Sequence, residues 1–118
     1  MTDDQIEQEI QAKGLTAPRV TLADIEGAIK YEHYFTAAQG VEKATGRVFD
    51  ETCPLRCHTF CVLVLTNGFT VTGESKPVSP ANFDAELGIR IARQNAIDKC
   101  WPLFGFALAD RIANGLAD

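Results

Sequence analysis

The stretch TFCVLVLTNGFTVTGES, Thr59 to Ser75, decides the fold. Two runs rich in β-branched and aromatic residues flank Asn67-Gly68. That dipeptide suits the positive φ angles of a type I′ turn, so the segment predicts a two-stranded hairpin. Counting outward from a two-residue turn sets Thr66 against Phe69, Leu65 against Thr70 and Val64 against Val71. Leu63 then meets Thr72, Val62 meets Gly73 and Cys61 meets Glu74. In this register Phe60, Val62, Val64, Phe69 and Val71 share one face, the expected core surface. The other face holds Cys61, Leu63 and Leu65 beside Thr70, Thr72 and Glu74. The first strand is thus apolar on both sides, which predicts a cover on each. One cover is a helix of the same chain; the other is a second helix, a second subunit or a ligand. Buried hydroxyls and carboxylates need partners, which favours the subunit or the ligand. The competing reading is a central strand with an exposed polar rim.

Downstream, Ser79-Pro80 reads as an N-cap followed by proline at the first helical position, with Asp84 in the favourable positive end. The helix this starts is expected to run to about Cys100. Ala85, Ile89, Ala92, Ala96 and Cys100 give it a small-residue face suited to close packing. Phe83, Leu87, Ile91 and Trp101 form a second stripe, with Arg90 and Gln94 among them. Arg90 either pairs with Glu86 one turn back or anchors an anionic or planar ligand. Trp101-Pro102 is expected to break or kink the path before a last helix from Leu103 to about Ala113.

Upstream, Asp4 to Lys13 predicts a short helix closed by Gly14. Thr21 and Asp24 form an acidic capping box for a second helix that runs through the aromatic cluster Tyr31, Tyr34 and Phe35. Its apolar stripe is Leu22, Ile25, Ile29 and His33. An imidazole there needs a hydrogen-bond partner, from the core or from a ligand. Residues from Gln39 to Cys57 show no period and predict a long loop, with one short ordered piece around Val41 to Val48. Two strands alone make a marginal sheet, so either this region adds a strand or another chain covers the open side. The class is α+β in one domain, 1–118: a small antiparallel sheet built on a central hairpin and packed against helices.

With 118 residues and a net charge of −5, the chain suits one soluble core and disfavours extended nucleic acid as a partner. No run approaches the roughly 20 apolar residues of a membrane span, and MTDDQIEQE has no secretion-signal pattern. A reducing bacterial cytoplasm is the expected compartment. Cys53, Cys57 and Cys61 with His58 match no standard paired metal framework and read as free thiols. No metal, cofactor or catalytic motif is expected. If the chain were an enzyme, His33 with Glu74 would be the acid–base pair.

TFCVLVLTNGFTVTGES followed by SPANFDAELGIRIARQNAIDKCWPL, together with TAPRVTLADIEGAIKYEHYFTA, resembles the gp-forty-nine/gene-sixty-six family of small tailed-phage and prophage proteins. The resemblance implies a phage setting and carries over no catalytic residue. Separately, the order of strand, glycine turn, strand and Ser/Asn/Asp-rich turn resembles the core of phage Thoeris anti-defence proteins, oligomeric sponges for cyclic ADP-ribose-type signals. That layout implies a ligand near Thr70, Thr72, Glu74, Ser75 and the turn Ser79 to Asp84, which includes Asn82.

The reading that joins these observations is a non-enzymatic phage accessory protein, a small homo-oligomer that counters host defence. As a sponge for a nucleotide signal, it would hold phosphate with Arg90, with Gln94 beside it. Phe83 or Trp101 would stack a base, and Thr72 and Glu74 would bond ribose hydroxyls. His33 is a further ligand-facing candidate. As an inhibitor, it would grip a host defence protein with the same surface.

Overall fold

The computed structural model describes residues 2–116. They divide into two compact units, residues 2–28 with 101–116, and Ile29–Cys100. In the first, helix α1 (Asp3–Ala12) starts at a reciprocal cap between Thr2 and Gln5, and Gly14 follows it with φ +65°. Arg19 grips the Glu7 carboxylate with two bonds, 2.6 and 2.7 Å. Helix α2 (Leu22–Gly27) begins at the expected Thr21–Asp24 capping box and buries Ile25.

Here the first expectation fails. The second helix does not reach the aromatic cluster: it stops at Gly27, and Ile29–Thr36 is a strand, β1. Ile29, Tyr31, Tyr34, Phe35 and Thr36 are all strand-favouring, and their packing outweighs the helical spacing of the stripe. His33 therefore sits on a strand. The third strand that the hairpin needed comes from this segment and not from Gln39 to Cys57.

That later region is more ordered than its composition promised. Helix α3 (Ala37–Thr45) has a Thr36–Gln39 capping box and ends at Gly46, whose φ of +77° only glycine adopts freely. A short tight turn covers Pro54–Cys57. Between them Arg56 acts as a clasp. It bonds the Glu42 carboxylate at 2.8 Å and the carbonyls of Phe49 and Asp50, while Glu42 also accepts from Phe49 N–H.

The hairpin exists, with strands β2 (Thr59–Leu65) and β3 (Thr70–Ser75), but its turn differs from the expectation. Gly68 N–H donates to Leu65 O at 2.9 Å and Leu65 N–H to Phe69 O at 2.8 Å. Within the turn only Gly68 has a positive φ, +87°, so Thr66-Asn67-Gly68 is a three-residue loop with glycine in the left-handed position. One extra loop residue moves the register by one. Leu63 pairs with Val71, Cys61 with Gly73 and Phe60 with Glu74. A slip of one exchanges the two faces of a strand. Cys61, Leu63 and Leu65 are the buried set, and Phe60, Val62 and Val64 are only half-buried.

The sheet order is β1-β2-β3, antiparallel throughout. Together with the helices this is the expected α+β architecture. Helix α4 (Ala85–Ala113) is one helix running through Pro102, so of the expected break or kink at Trp101-Pro102 the break does not occur, and Leu103 to Ala113 is not a separate helix. It starts six residues after Ser79. Pro80–Asn82 forms a separate tight turn, Ser79 makes no side-chain cap, and Asp84 caps α4 by accepting from Leu87 N–H at 2.9 Å.

The small-residue face of α4 does what its composition suggests. Gly88, Ala92, Ala96 and Cys100 are buried, although Ala85 and Ile89 are exposed. At Gly73 the contact is backbone to backbone. A Cβ there would lie 2.1 Å from Ala92 O and 2.4 Å from Ala96 N.

Candidate functional site

Strand pairing lays out both faces as rows across β1, β2 and β3. On the face toward α4 the rows are Glu32–Leu63–Val71, Tyr34–Cys61–Gly73 and Thr36–Thr59–Ser75. Leu63 and Cys61 are fully buried. At the β1 margin Glu32 accepts from Arg93 at 2.9 Å and from the Tyr34 hydroxyl at 2.6 Å. Those bonds, Arg93 first, hold the Glu32 carboxyl below its ordinary value, and burial first of all pushes the Tyr34 phenol up. Burial likewise raises the thiols of Cys61 and Cys100. The centre of this face is sealed, and Glu32 is exposed at its margin.

The opposite face has the rows Tyr31–Val64–Thr70, His33–Val62–Thr72 and Phe35–Phe60–Glu74. Phe35 and Phe60 stack at 5.5 Å, Tyr31 and His33 at 6.3 Å, and His58 lies 4.4 Å from Phe60. His58 bonds Glu74, and that bond is the main reason the Glu74 carboxyl sits below its ordinary value. Helix α3 borders the Phe35 end, where a methyl on Gly40 would come within 3.7 Å of the Phe35 ring. Tyr31, His33, Thr70 and Thr72 remain exposed.

Beside the end of β3 lies a cleft of about 420 Å³, formed by β3, the connector to α4 and the first turns of α4. Phe83, Leu87 and Ile91 make its apolar wall, and Ser75, Lys76 and Asn82 are among its polar lining. Asn95 also lines it, and its amide donates to Glu74 O at 2.8 Å. The volume falls in the range of small-molecule sites, about 300–1,000 Å³.

The residues nominated from sequence separate into three groups. His33, Thr70, Thr72 and Glu74 come together on the open face. Ser75, Asn82 and Phe83, again with Glu74, line the cleft. Ser79, Arg90, Gln94 and Trp101 join neither. Ser79 holds its turn through Asn82 N–H, and Arg90 is exposed on α4 without the Glu86 ion pair. Gln94 donates to Asp98 at 2.8 Å, and Trp101 is half-buried in the other unit. The acid–base pair of His33 with Glu74 is not formed: β2 lies between their strands, and Glu74 bonds His58. Tyr31, Phe35 and Phe60 were missed on the open face, and Lys76, Leu87, Ile91 and Asn95 in the cleft. Leu87, Ile91 and Asn95 recur every four residues, a helical stripe that was legible.

The four cysteines are free: Cys57, Cys61 and Cys100 are buried, and Cys53 is half-buried. Among the described residues no helix is long and apolar enough to cross a membrane.

The family model of the phage protein (N4 Gp49/phage Sf6 gene 66) family matches residues 20–112. The chain belongs to this family. No curated protein and no solved structure matches it. The family match runs from α2 through most of α4, so the open face and the cleft both lie in the shared part and α1 lies outside it.

Proposed function

We propose that this member of the phage family is an accessory protein that binds and sequesters a small nucleotide-type signal of the host in the cleft between β3 and α4. The observation that carries the reading is the lining: an aromatic ring, Phe83, in one cleft with the amides of Asn82 and Asn95 and the hydroxyl of Ser75. A planar base packs on the apolar wall that Phe83 makes with Leu87 and Ile91, and the polar groups meet its edge and sugar. Lys76 is the cation of the lining and takes the phosphate role first given to Arg90. Holding, not turnover, is the proposed action, because both carboxylates of the lining are committed: Glu74 to His58, Asp84 to the α4 cap.

Thermal unfolding against a panel of cyclic nucleotides and ADP-ribose derivatives tests this. Binding stabilises the native state by mass action, so one member of the panel should raise Tm. Phe83→Ala should abolish that rise, and the ligand should be recovered intact after heating. A panel without any rise would overturn the reading, and an altered ligand would replace it with an enzyme.

The open face favours a second reading, docking of a host defence protein. Aromatic and β-branched side chains exposed together on a sheet face suit a macromolecular contact more than a small ligand. Co-purification of a host protein that Tyr31→Glu releases, with no response to nucleotides, would select it.

A further inference from the structure

We infer that β1 is a pairing edge for a second copy of this chain, joined antiparallel about a two-fold axis at His33. The two edges of the sheet differ chemically. Along β3, helix α4 reaches over and occupies the outward carbonyls: Asn95 donates to Glu74 O at 2.8 Å and Lys99 Nζ to Thr72 O at 2.6 Å. Along Tyr31 to Phe35 no side chain or loop among the described residues bonds the outer backbone of β1. An edge of free N–H and C=O groups is a template for another strand.

The residues of β1 specify which strand. A register irregularity between Ile29 and Tyr31 blunts the start of the edge, and Gln39 occupies the Thr36 N–H at its end. What remains is Tyr31 to Phe35, with His33 at its centre. Antiparallel pairing about that centre sets Tyr31 against Phe35 of the second copy, twice, on the open face. On the other face Glu32 meets Tyr34, a carboxylate opposite a phenol, and no like charges oppose. Aromatic cross-strand pairs of this kind are favourable, and the segment is its own complement. Tyr31 is 53% exposed and Phe35 38%, which this pairing would reduce. The product is a six-stranded sheet whose two open faces are continuous. The inference is independent of the ligand cleft.

Directly opposed residues in an antiparallel pair have Cβ atoms about 5 Å apart, close enough for a disulfide after small adjustment. Mild oxidation of the full chain carrying His33→Cys should give a covalent dimer that dithiothreitol reverses. Thr72→Cys, exposed on the same face but beside the sealed edge, should stay uncrosslinked, as should the unaltered chain. Tyr31→Cys alone should not crosslink, but mixed with Phe35→Cys it should form a heterodimer. Light scattering should give twice the 12.9 kDa of one chain. A monomer at every concentration overturns the inference. So does a dimer that His33→Cys fails to trap, which would place the contact elsewhere, or a monomer that dimerises only with an added extended peptide.

Discussion

The two faces of one small sheet are built from similar residues and have opposite fates. Toward α4, Cys61, Leu63 and Val71 are buried against a helix that presents alanines and a glycine. On the other side, Val62, Val64 and Phe60 have the same chemistry but stay half-buried, in rows with exposed threonines and a histidine. Apolar content does not separate the faces. What separates them is the absence of side-chain bulk at Gly73, Ala92 and Ala96, which lets a helix backbone lie directly on the strand.

The sharpest way to break this contrast is Gly73→Ala. The new methyl would meet backbone, which cannot move aside as a flexible side chain can, so the loss should reach or exceed the upper end of the about 1–3 kcal/mol typical of overpacking. Denaturant unfolding measures it. Truncation compares the faces more gently. Leu63→Ala should cost about 3 kcal/mol, within the range for deleting a fully buried leucine. Val62→Ala, one residue along the same strand, should cost about 1 kcal/mol because that side chain is partly wet already. Equal losses at the two positions would erase the distinction. Asp84→Ala should cost about 1 kcal/mol through the lost α4 cap, whereas Ser79→Ala should be near neutral.

The smallest effect is electrostatic. Glu32 is held below its ordinary value of 4.5 by Arg93 and then Tyr34, so the folded state binds its proton less readily than the unfolded chain. Its contribution is fully present above about pH 4.5 and is lost as pH falls through the lower folded value. Glu32→Gln should therefore flatten the acid end of the stability curve. Glu74 acts with the same sign through His58, and Glu74→Gln should flatten it too.

Much of this architecture was legible in the residues, and the failures fall where one local pattern fits two structures or where a partner lies far along the chain. Capping boxes at Thr21 and the glycine stop at Gly14 were readable because they are local hydrogen-bond chemistry. The small face of α4 was readable from its spacing. The identity of the sheet's inner face was not, because Asn-Gly fits a two-residue loop and a three-residue loop alike, and one residue exchanges inside for outside. For β1, a helical stripe and a strand-favouring composition coincided, and the sheet's need for a third strand prevailed. Arg90 and Trp101 fell outside the cleft for a related reason: a stripe on a long helix winds away from any single neighbour. Ser75, Asn82 and Phe83 meet in the cleft because they lie at the end of β3 and within the connector that joins it to α4.

Everything about the two faces follows from how β2 and β3 align, and cross-strand nuclear Overhauser contacts in solution read that alignment. Contacts of Cys61 with Gly73 and of Leu63 with Val71, and methyl contacts from Leu63 to Ala92 or Ala96, are the expected result. Contacts of Cys61 with Glu74 and of Leu63 with Thr72 would contradict the account, turning the sealed face outward and the aromatic rows inward.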